Sequence, residues 1–180
     1  MPSVYLAGFD VFLPDAEAQG ERLKALCAAH GFEGLFPLDN RAPRELSGAA
    51  LAQWIYRENV ALIRRADMVM ANLNPFRGAE PDSGTAFEVG YAIACGKPVW
   101  GHTRQAGSLI DQVAVGAAAD DGASRMVDAE GYTVEDFGLS LNLMLACSAR
   151  IVQGDPADCL ARMAESLPGA STPEDASREL

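Results

Sequence analysis

The first hundred residues alternate between short apolar runs and helical patterns, and this alternation leaves few architectures open to the chain. Short runs of apolar and β-branched residues predict strands, whereas apolar residues spaced three and four positions apart predict amphipathic helices. The predicted strands are 3–8, 34–38, 68–73 and 98–102, and the predicted helices are 15–31, 48–66 and about 85–95. This order predicts an α/β fold, namely a single domain with a doubly wound, mostly parallel sheet of Rossmann or flavodoxin type flanked by helices.

The patterns beyond residue 103 are weaker. Residues 104–125 are consistent with a short helix followed by a flexible acidic loop, and 139–152 and 156–167 predict two further helices. The polar end of the chain, 168–180, predicts a disordered tail. We therefore expect the folded domain to span residues 1–167.

The charge and hydropathy of the chain indicate which kinds of partner it can bind. Hydrophobic residues make up 49% of the chain, yet the apolar runs are too short to span a membrane and the N-terminus lacks the basic region of a signal peptide. We therefore expect a cytoplasmic protein without a membrane partner. The net charge of −11 disfavours binding to a nucleic-acid polymer, whose phosphates it would repel, but it does not exclude a neutral nucleoside.

Neither a metal nor a nucleotide cofactor is indicated by the motifs. The sequence contains no G-x-G-x-x-G fingerprint, no phosphate-binding G-x-x-x-x-G-K-[ST] motif and no C-x-x-C pair, and its two histidines lie far apart. We predict that the cysteines are buried free thiols; they are Cys27, Cys95, Cys147 and Cys159.

Glu88, in the stretch "DSGTAFEVG" (82–90), is open to two interpretations. Thr85 and Glu88 have the spacing of a capping box, in which Glu88 would only stabilise the start of a helix. Alternatively, the helix follows directly on a strand, and ligands of parallel sheets bind beyond the carboxyl ends of the strands. The dipole of the helix would then favour an ionised carboxylate in a crevice, which suits nucleophilic attack on carbon.

Other polar residues carry similar alternatives. Asp82 fits an Asx-type turn, but it could also be the second carboxylate of a pair that acts on a glycosidic bond. Asn59 and Asn142 interrupt apolar patterns, either to satisfy a neighbouring backbone group or to contact a ligand. Tyr5 fits a core strand residue and Asp10 a turn former.

Four segments together resemble the nucleoside 2-deoxyribosyltransferase family. They are "VYLAGFDVFLPDA", "ENVALIRRADMVMANLNPFRG", "DSGTAFEVGYAIACGKPVWGHT" and "VEDFGLSLNLML", and the resemblance covers roughly residues 3–150. It implies exchange of the base of a 2′-deoxynucleoside for a free nucleobase, through a covalent sugar–enzyme intermediate and with retention of configuration. It implies no metal and no cofactor.

The resemblance also assigns roles to residues. Glu88 matches the nucleophile, Asp82 the loop aspartate beside it, and Tyr5 the strand tyrosine that orients the glutamate. Asn142 matches an asparagine that a neighbouring subunit contributes to hold the 5′-hydroxyl of the sugar, which implies a homo-oligomer of two or more subunits.

The predicted substrate-binding set consists of Gly8, Phe9, Asp10, Asn59 and Asn142. Three positions depart from the family pattern. Asn59 replaces an aspartate that contacts the base in some members, Phe9 follows Gly8 where many relatives have proline, and Leu141 precedes Asn142 where an aspartate is common.

Two other functions compete with base exchange. The first is an N-glycosidase that acts on nucleoside 5′-monophosphates, which the negative charges of Glu80 and Asp82 disfavour because they would repel a phosphate. The second is a nucleoside-binding module without catalysis.

Four arginines are interpreted as surface charge; they are Arg41, Arg44, Arg64 and Arg65.

Overall fold

The computed structural model describes residues 1–113, 115–120 and 123–167. In chain order its elements are β1 (Ser3–Ala7), α1 (Ala16–Ala29), β2 (Glu33–Leu35), α2 (Gly48–Arg65), β3 (Met68–Asn72), α3 (Ser83–Ala94), β4 (Val99–Thr103), α4 (Leu109–Gln112), β5 (Gly116–Asp120), β6 (Ala123–Val127), α5 (Leu143–Ala146), β7 (Arg150–Gln153) and α6 (Pro156–Glu165). Two short 3-10 turns, Phe9–Phe12 and Pro37–Asp39, follow β1 and β2.

A five-stranded parallel sheet in the order β2-β1-β3-β4-β7 forms the centre of the molecule. Tyr5 of β1 lies opposite Leu35 of β2 and Val69 of β3, so β1 is flanked on both sides. All five strands run in the same direction, and their carboxyl ends therefore meet at one edge of the sheet. The predicted α/β fold and its single domain are confirmed.

Helices cover both faces of this sheet. One core packs α2, α3 and α5 against residues such as Tyr5 and Val69. The other packs α1 and α6 against residues such as Val4 and Met70. The three central strands, β1, β3 and β4, bury alternate residues on opposite faces, which explains why they are mostly apolar rather than alternating with polar positions.

The predicted helix over residues 139–152 is wrong for most of its length. Only Leu143–Ala146 is helical, and Arg150–Gln153 forms β7, which pairs with β4 at the edge of the sheet. The β-branched pair Ile151–Val152 favours a strand, but a run of four residues is too short for periodicity to separate from the helical pattern before it. The predicted strand 34–38 also ends early, because Pro37 begins a 3-10 turn.

The segment after β4 contains more regular structure than the sequence predicts. The short helix is present as α4, but β5 and β6 pair antiparallel where we expected a flexible acidic loop. The predicted tail, 168–180, lies outside the described residues.

Two of the four predicted buried cysteines are exposed. Cys27 and Cys159 lie in the core between the sheet and helices α1 and α6, whereas Cys95 and Cys147 are exposed just after the ends of α3 and α5. All four are free thiols. Within the described ranges, no helix is both long and apolar enough to cross a membrane.

Replacing each of two helical glycines by alanine should have opposite effects on the free energy of unfolding. Gly20 of α1 packs against the buried ring of Phe36, and a Cβ added there would lie 2.7 Å from Cε1 of that ring. We expect Gly20→Ala to lower the free energy of unfolding by about 1 kcal/mol, because overpacking outweighs the gain in helix propensity.

Gly90→Ala is the matched control, since Gly90 lies within α3 and an added Cβ would meet nothing within 4 Å. We expect this change to raise the unfolding free energy by up to about 1 kcal/mol. Urea titrations of both variants measure the two effects, and a stabilised Gly20→Ala protein would contradict the packing described for α1.

Candidate active site

A cavity of about 640 Å³ opens at the carboxyl ends of β1 and β2. Its walls come from the loops that follow these strands, from one face of α2 and from the first two turns of α3. The lining residues are Gly8, Val11, Phe12, Glu17, Pro37, Leu38, Asn40, Arg41, Ala42, Leu51, Trp54, Ile55, Glu58, Asn59, Asp82, Gly84, Thr85 and Glu88. Its size lies within the range of small-molecule sites.

One face of α2 forms a wall of this cavity. Its lining positions, at helical spacing, are Leu51, Trp54, Ile55, Glu58 and Asn59. Further along the same helix, Leu62 and Ile63 are buried in the core. The apolar pattern of α2 therefore serves two purposes: its second half packs on the sheet, and its first half faces the cavity.

Glu88 lines the cavity and accepts two hydrogen bonds. The hydroxyl of Tyr5 donates to Glu88 Oε1 at 2.6 Å, and Nδ2 of Asn59 donates to the same oxygen at 3.4 Å. Tyr5 is fully buried in β1, so its position is set by the sheet. Because both donors contact Oε1, the other carboxylate oxygen, Oε2, receives neither of them.

The expected ionised state of Glu88 is only partly supported. Burial raises the pKa of its carboxyl to about 7, although the hydrogen bonds from Tyr5 and Asn59 oppose this rise. Glu88 is the sixth residue of α3, beyond the first turn in which the helix dipole acts most strongly. Burial and the charge of Glu88 raise the pKa of Tyr5 far above its usual range, so Tyr5 remains a hydrogen-bond donor.

The capping-box interpretation of Thr85 and Glu88 is wrong. The cap of α3 is Asp82, whose Oδ2 accepts hydrogen bonds from the backbone N–H of Thr85 at 3.0 Å and from the Thr85 hydroxyl at 3.1 Å. Thr85 is itself a buried helical residue. Asp82 therefore has one oxygen held by the helix terminus, and it lines the same cavity as Glu88.

The first loop contributes less directly than we expected. Gly8 lines the cavity, but Asp10 is buried outside it and accepts hydrogen bonds from Asn72 Nδ2 at 2.8 Å and from Gln19 Nε2 at 3.0 Å. Phe9 also lies outside the lining and stacks on Phe76, with ring centroids 5.1 Å apart. These two residues hold the loop in place.

Asn142 lies apart from the other predicted residues of the site. It caps α5, donates from Nδ2 to Glu135 at 2.8 Å, and lines a separate groove of about 490 Å³. Glu80 lines this second groove as well, so of the two acidic residues expected to repel a phosphate only Asp82 lies in the cavity. Within one chain, Asn142 does not line the cavity that holds Glu88.

Several cavity residues were not anticipated. Arg41 was interpreted as surface charge, and nothing was inferred for Asn40, Glu58 or Trp54, although all four line the cavity. One signal was available, because Asn40 and Arg41 closely follow a predicted strand, and loops at that position line ligand sites in parallel sheets.

With this geometry in view, comparison with known proteins identifies the class. The chain belongs to the nucleoside 2-deoxyribosyltransferase family, whose model matches residues 4–144. The resemblance inferred from the four segments is therefore confirmed.

Individual relatives agree with this assignment. A 2-desoxiribosyltransferase from Leishmania mexicana superposes with a TM-score of 0.73 at 34% identity, over 92% of this chain and 99% of that one. An uncharacterized protein of Schizosaccharomyces pombe is 35% identical over 158 residues, which is 80% of this chain and 75% of the yeast protein. A conserved protein from Enterococcus faecalis V583 shares the fold, with a TM-score of 0.58 at 21% identity.

Two buried groups affect the pH dependence of stability in opposite directions. The pKa of Glu88 rises from 4.5 to about 7 on folding, so the unfolding free energy falls as pH increases between these values. Burial lowers the pKa of His102 from 6.5 to about 4, so its contribution rises with pH over that range. Between pH 4.5 and 6.5 the two contributions oppose each other.

Glu88→Gln removes the first contribution and leaves the second. We expect the unfolding free energy of this variant to increase by roughly 2 kcal/mol from pH 4.5 to 6.5, while that of the wild type changes much less. Urea titrations across this range measure the difference, with Glu33→Gln, at an exposed position of β2, as the control. Parallel curves for wild type and Glu88→Gln would show that the pKa of Glu88 is not raised.

Proposed function

We propose that the protein exchanges the base of 2′-deoxynucleosides through a covalent deoxyribosyl–Glu88 intermediate. The observation that carries this proposal is the position of Glu88 in the cavity, with Tyr5 and Asn59 both hydrogen-bonded to Oε1. These donors fix the carboxylate while Oε2 remains available to approach a sugar carbon. Membership of the nucleoside 2-deoxyribosyltransferase family supports the same reaction.

In the first step, Oε2 of ionised Glu88 attacks C1′ of the deoxyribose. The C1′–O bond forms while the C1′–N bond to the base breaks, and the electron pair of that bond passes to the base nitrogen. Positive charge develops at C1′ in the transition state, and the carboxylate stabilises it. The departing base takes up a proton, for which Asp82 is the candidate donor because it lines the same cavity.

In the second step, a nitrogen of the incoming base attacks C1′ and displaces the Glu88 carboxylate, while the proton of the incoming base passes to Asp82 and restores the donor used in the first step. Two displacements at one carbon give net retention of configuration. Tyr5 and Asn59 act as positioning residues, since they touch the nucleophile.

The proposal includes the role that the resemblance predicts for Asn142, which is to hold the sugar from a partner subunit of a homo-oligomer. The position of Asn142 in the second groove is compatible with such an arrangement.

Charge in the cavity favours a nucleoside over a nucleotide. Four acidic side chains and one arginine line the cavity. The acidic residues are Glu17, Glu58, Asp82 and Glu88, and the arginine is Arg41. A 5′-phosphate would experience net repulsion from these groups. We therefore retain the nucleoside as the substrate and regard 5′-monophosphate cleavage as the weaker alternative.

Base exchange is tested by incubating the protein with deoxyinosine, with and without adenine. We expect deoxyadenosine to form only when adenine is present. Glu88→Gln should lower the rate by a factor of about 10⁴ or more, because the nucleophile is lost, while deoxyinosine still binds. Glu33→Gln should retain the wild-type rate.

Other outcomes of this assay would contradict the proposal in identifiable ways. Hypoxanthine release that is independent of adenine indicates a hydrolase. Cleavage of deoxynucleoside 5′-monophosphates in preference to nucleosides indicates the N-glycosidase. Binding without any turnover indicates a nucleoside-binding module.

The pKa of Glu88 predicts the pH profile of the first step. Because only the ionised carboxylate is nucleophilic, the acidic side of the kcat/KM profile should rise with pH with a midpoint near 7. Tyr5→Phe removes a hydrogen bond that lowers this pKa, so the rise should move to higher pH. Tyr91→Phe is the control, since the Tyr91 hydroxyl contacts Arg64 rather than Glu88. An unmoved profile in Tyr5→Phe would contradict the positioning role of Tyr5.

A further inference from the structure

The polar groups of the cavity form two separate sets. The first surrounds the nucleophile and includes Asn59, Asp82 and Glu88. The second consists of Asn40 and Arg41, from the segment after β2, and Glu58 of α2, and the proposed reaction does not use it. A set of donors and an acceptor at a distinct wall of a ligand cavity is suited to recognising part of the substrate.

The second set has a defined pattern of donors and acceptors. Asn40 Nδ2 donates to Glu58 Oε2 at 3.3 Å, and because a carboxylate only accepts hydrogen bonds, this contact fixes the orientation of the Asn40 amide. Glu58 presents two acceptor oxygens and Asn40 an N–H donor beside them, while Arg41 carries further donors on the same cavity. The wall therefore offers a donor next to a pair of acceptors.

The surroundings of this set suit a nucleobase rather than a sugar. Asn59, which touches Glu88, is the chain neighbour of Glu58, so a base bonded to a carbon beside Glu88 can extend toward Glu58. The same face of α2 continues with Ile55, Trp54 and Leu51, whose apolar surfaces can cover the faces of an aromatic ring.

We propose that Glu58 and Asn40 read the Watson–Crick edge of the base and select guanine. This inference rests on the proposed function, because it takes the base of a deoxynucleoside as the occupant of the wall. Guanine presents two adjacent donors, N1–H and the 2-amino group, which match the two oxygens of Glu58. Its neighbouring O6 is an acceptor that the amide of Asn40, or Arg41, can contact.

Other purines match this pattern less well. Hypoxanthine lacks the 2-amino group and so loses one hydrogen bond to a charged acceptor. Adenine presents an unprotonated N1, whose lone pair would face the carboxylate of Glu58. Hydrogen bonds to charged groups contribute enough that each loss corresponds to roughly a tenfold weaker affinity or more.

Calorimetric binding of three deoxynucleosides to the Glu88→Gln protein tests this selection without turnover. We expect deoxyguanosine to bind at least about tenfold more tightly than deoxyinosine or deoxyadenosine. Adding Glu58→Gln should abolish the preference, because an amide replaces one of the two acceptor oxygens with a donor. Adding Glu45→Gln, at an exposed position in the segment before α2, should leave the ranking unchanged.

Several results would overturn the selection of guanine. They are equal affinities for the three nucleosides, tighter binding of deoxyadenosine, a preference that survives Glu58→Gln, and no binding of any of them to Glu88→Gln. The proposed function fails separately, through the absence of base exchange by the wild-type protein. A guanine preference in binding without base exchange would therefore retain this inference and reject the proposed reaction.

Discussion

The hydrogen bond from the Tyr5 hydroxyl to Glu88 Oε1, 2.6 Å long, links the central sheet to the helix that carries the candidate nucleophile. Tyr5 is fully buried in β1, between β2 and β3, so its hydroxyl has little freedom to move. Without this donor, the buried carboxylate would retain only the longer contact from Asn59. The bond therefore sets the position of Glu88 and also limits how far burial raises its pKa.

The sequence predicts the part of the fold in which each element is long enough for its period to show. The first four strands and the helices between them follow the predicted order, because apolar runs and helical spacing are distinct over these lengths. The fifth strand, Arg150–Gln153, is hidden by its shortness and by the helical pattern before it. The hairpin of β5 and β6 is also missed, since alanine-rich and acidic residues have low strand propensity.

The candidate site is predictable where a polar residue interrupts an apolar pattern. Asn59 was singled out in this way and Glu88 by its place near the start of a helix that follows a strand, and the two contact each other. Glu58 and Arg41 were not, because a charged residue on a helix or in a loop resembles surface charge until a cavity is seen in front of it. The raised pKa of Glu88 could not be inferred either, since it depends on how far tertiary packing buries the carboxyl, whereas its place near a helix start suggested an ionised group.

The central claim is that Glu88 bonds covalently to the sugar, and peptide mass mapping after a rapid acid quench tests it most directly. The protein would be mixed with a deoxynucleoside in the absence of an acceptor base, quenched within the first turnover, digested and analysed. We expect the peptide that contains Glu88 to be heavier by one deoxyribosyl group, and fragmentation should locate this group at Glu88. A protein that exchanges bases while this peptide stays unmodified, or that carries the sugar on another residue, would contradict the account.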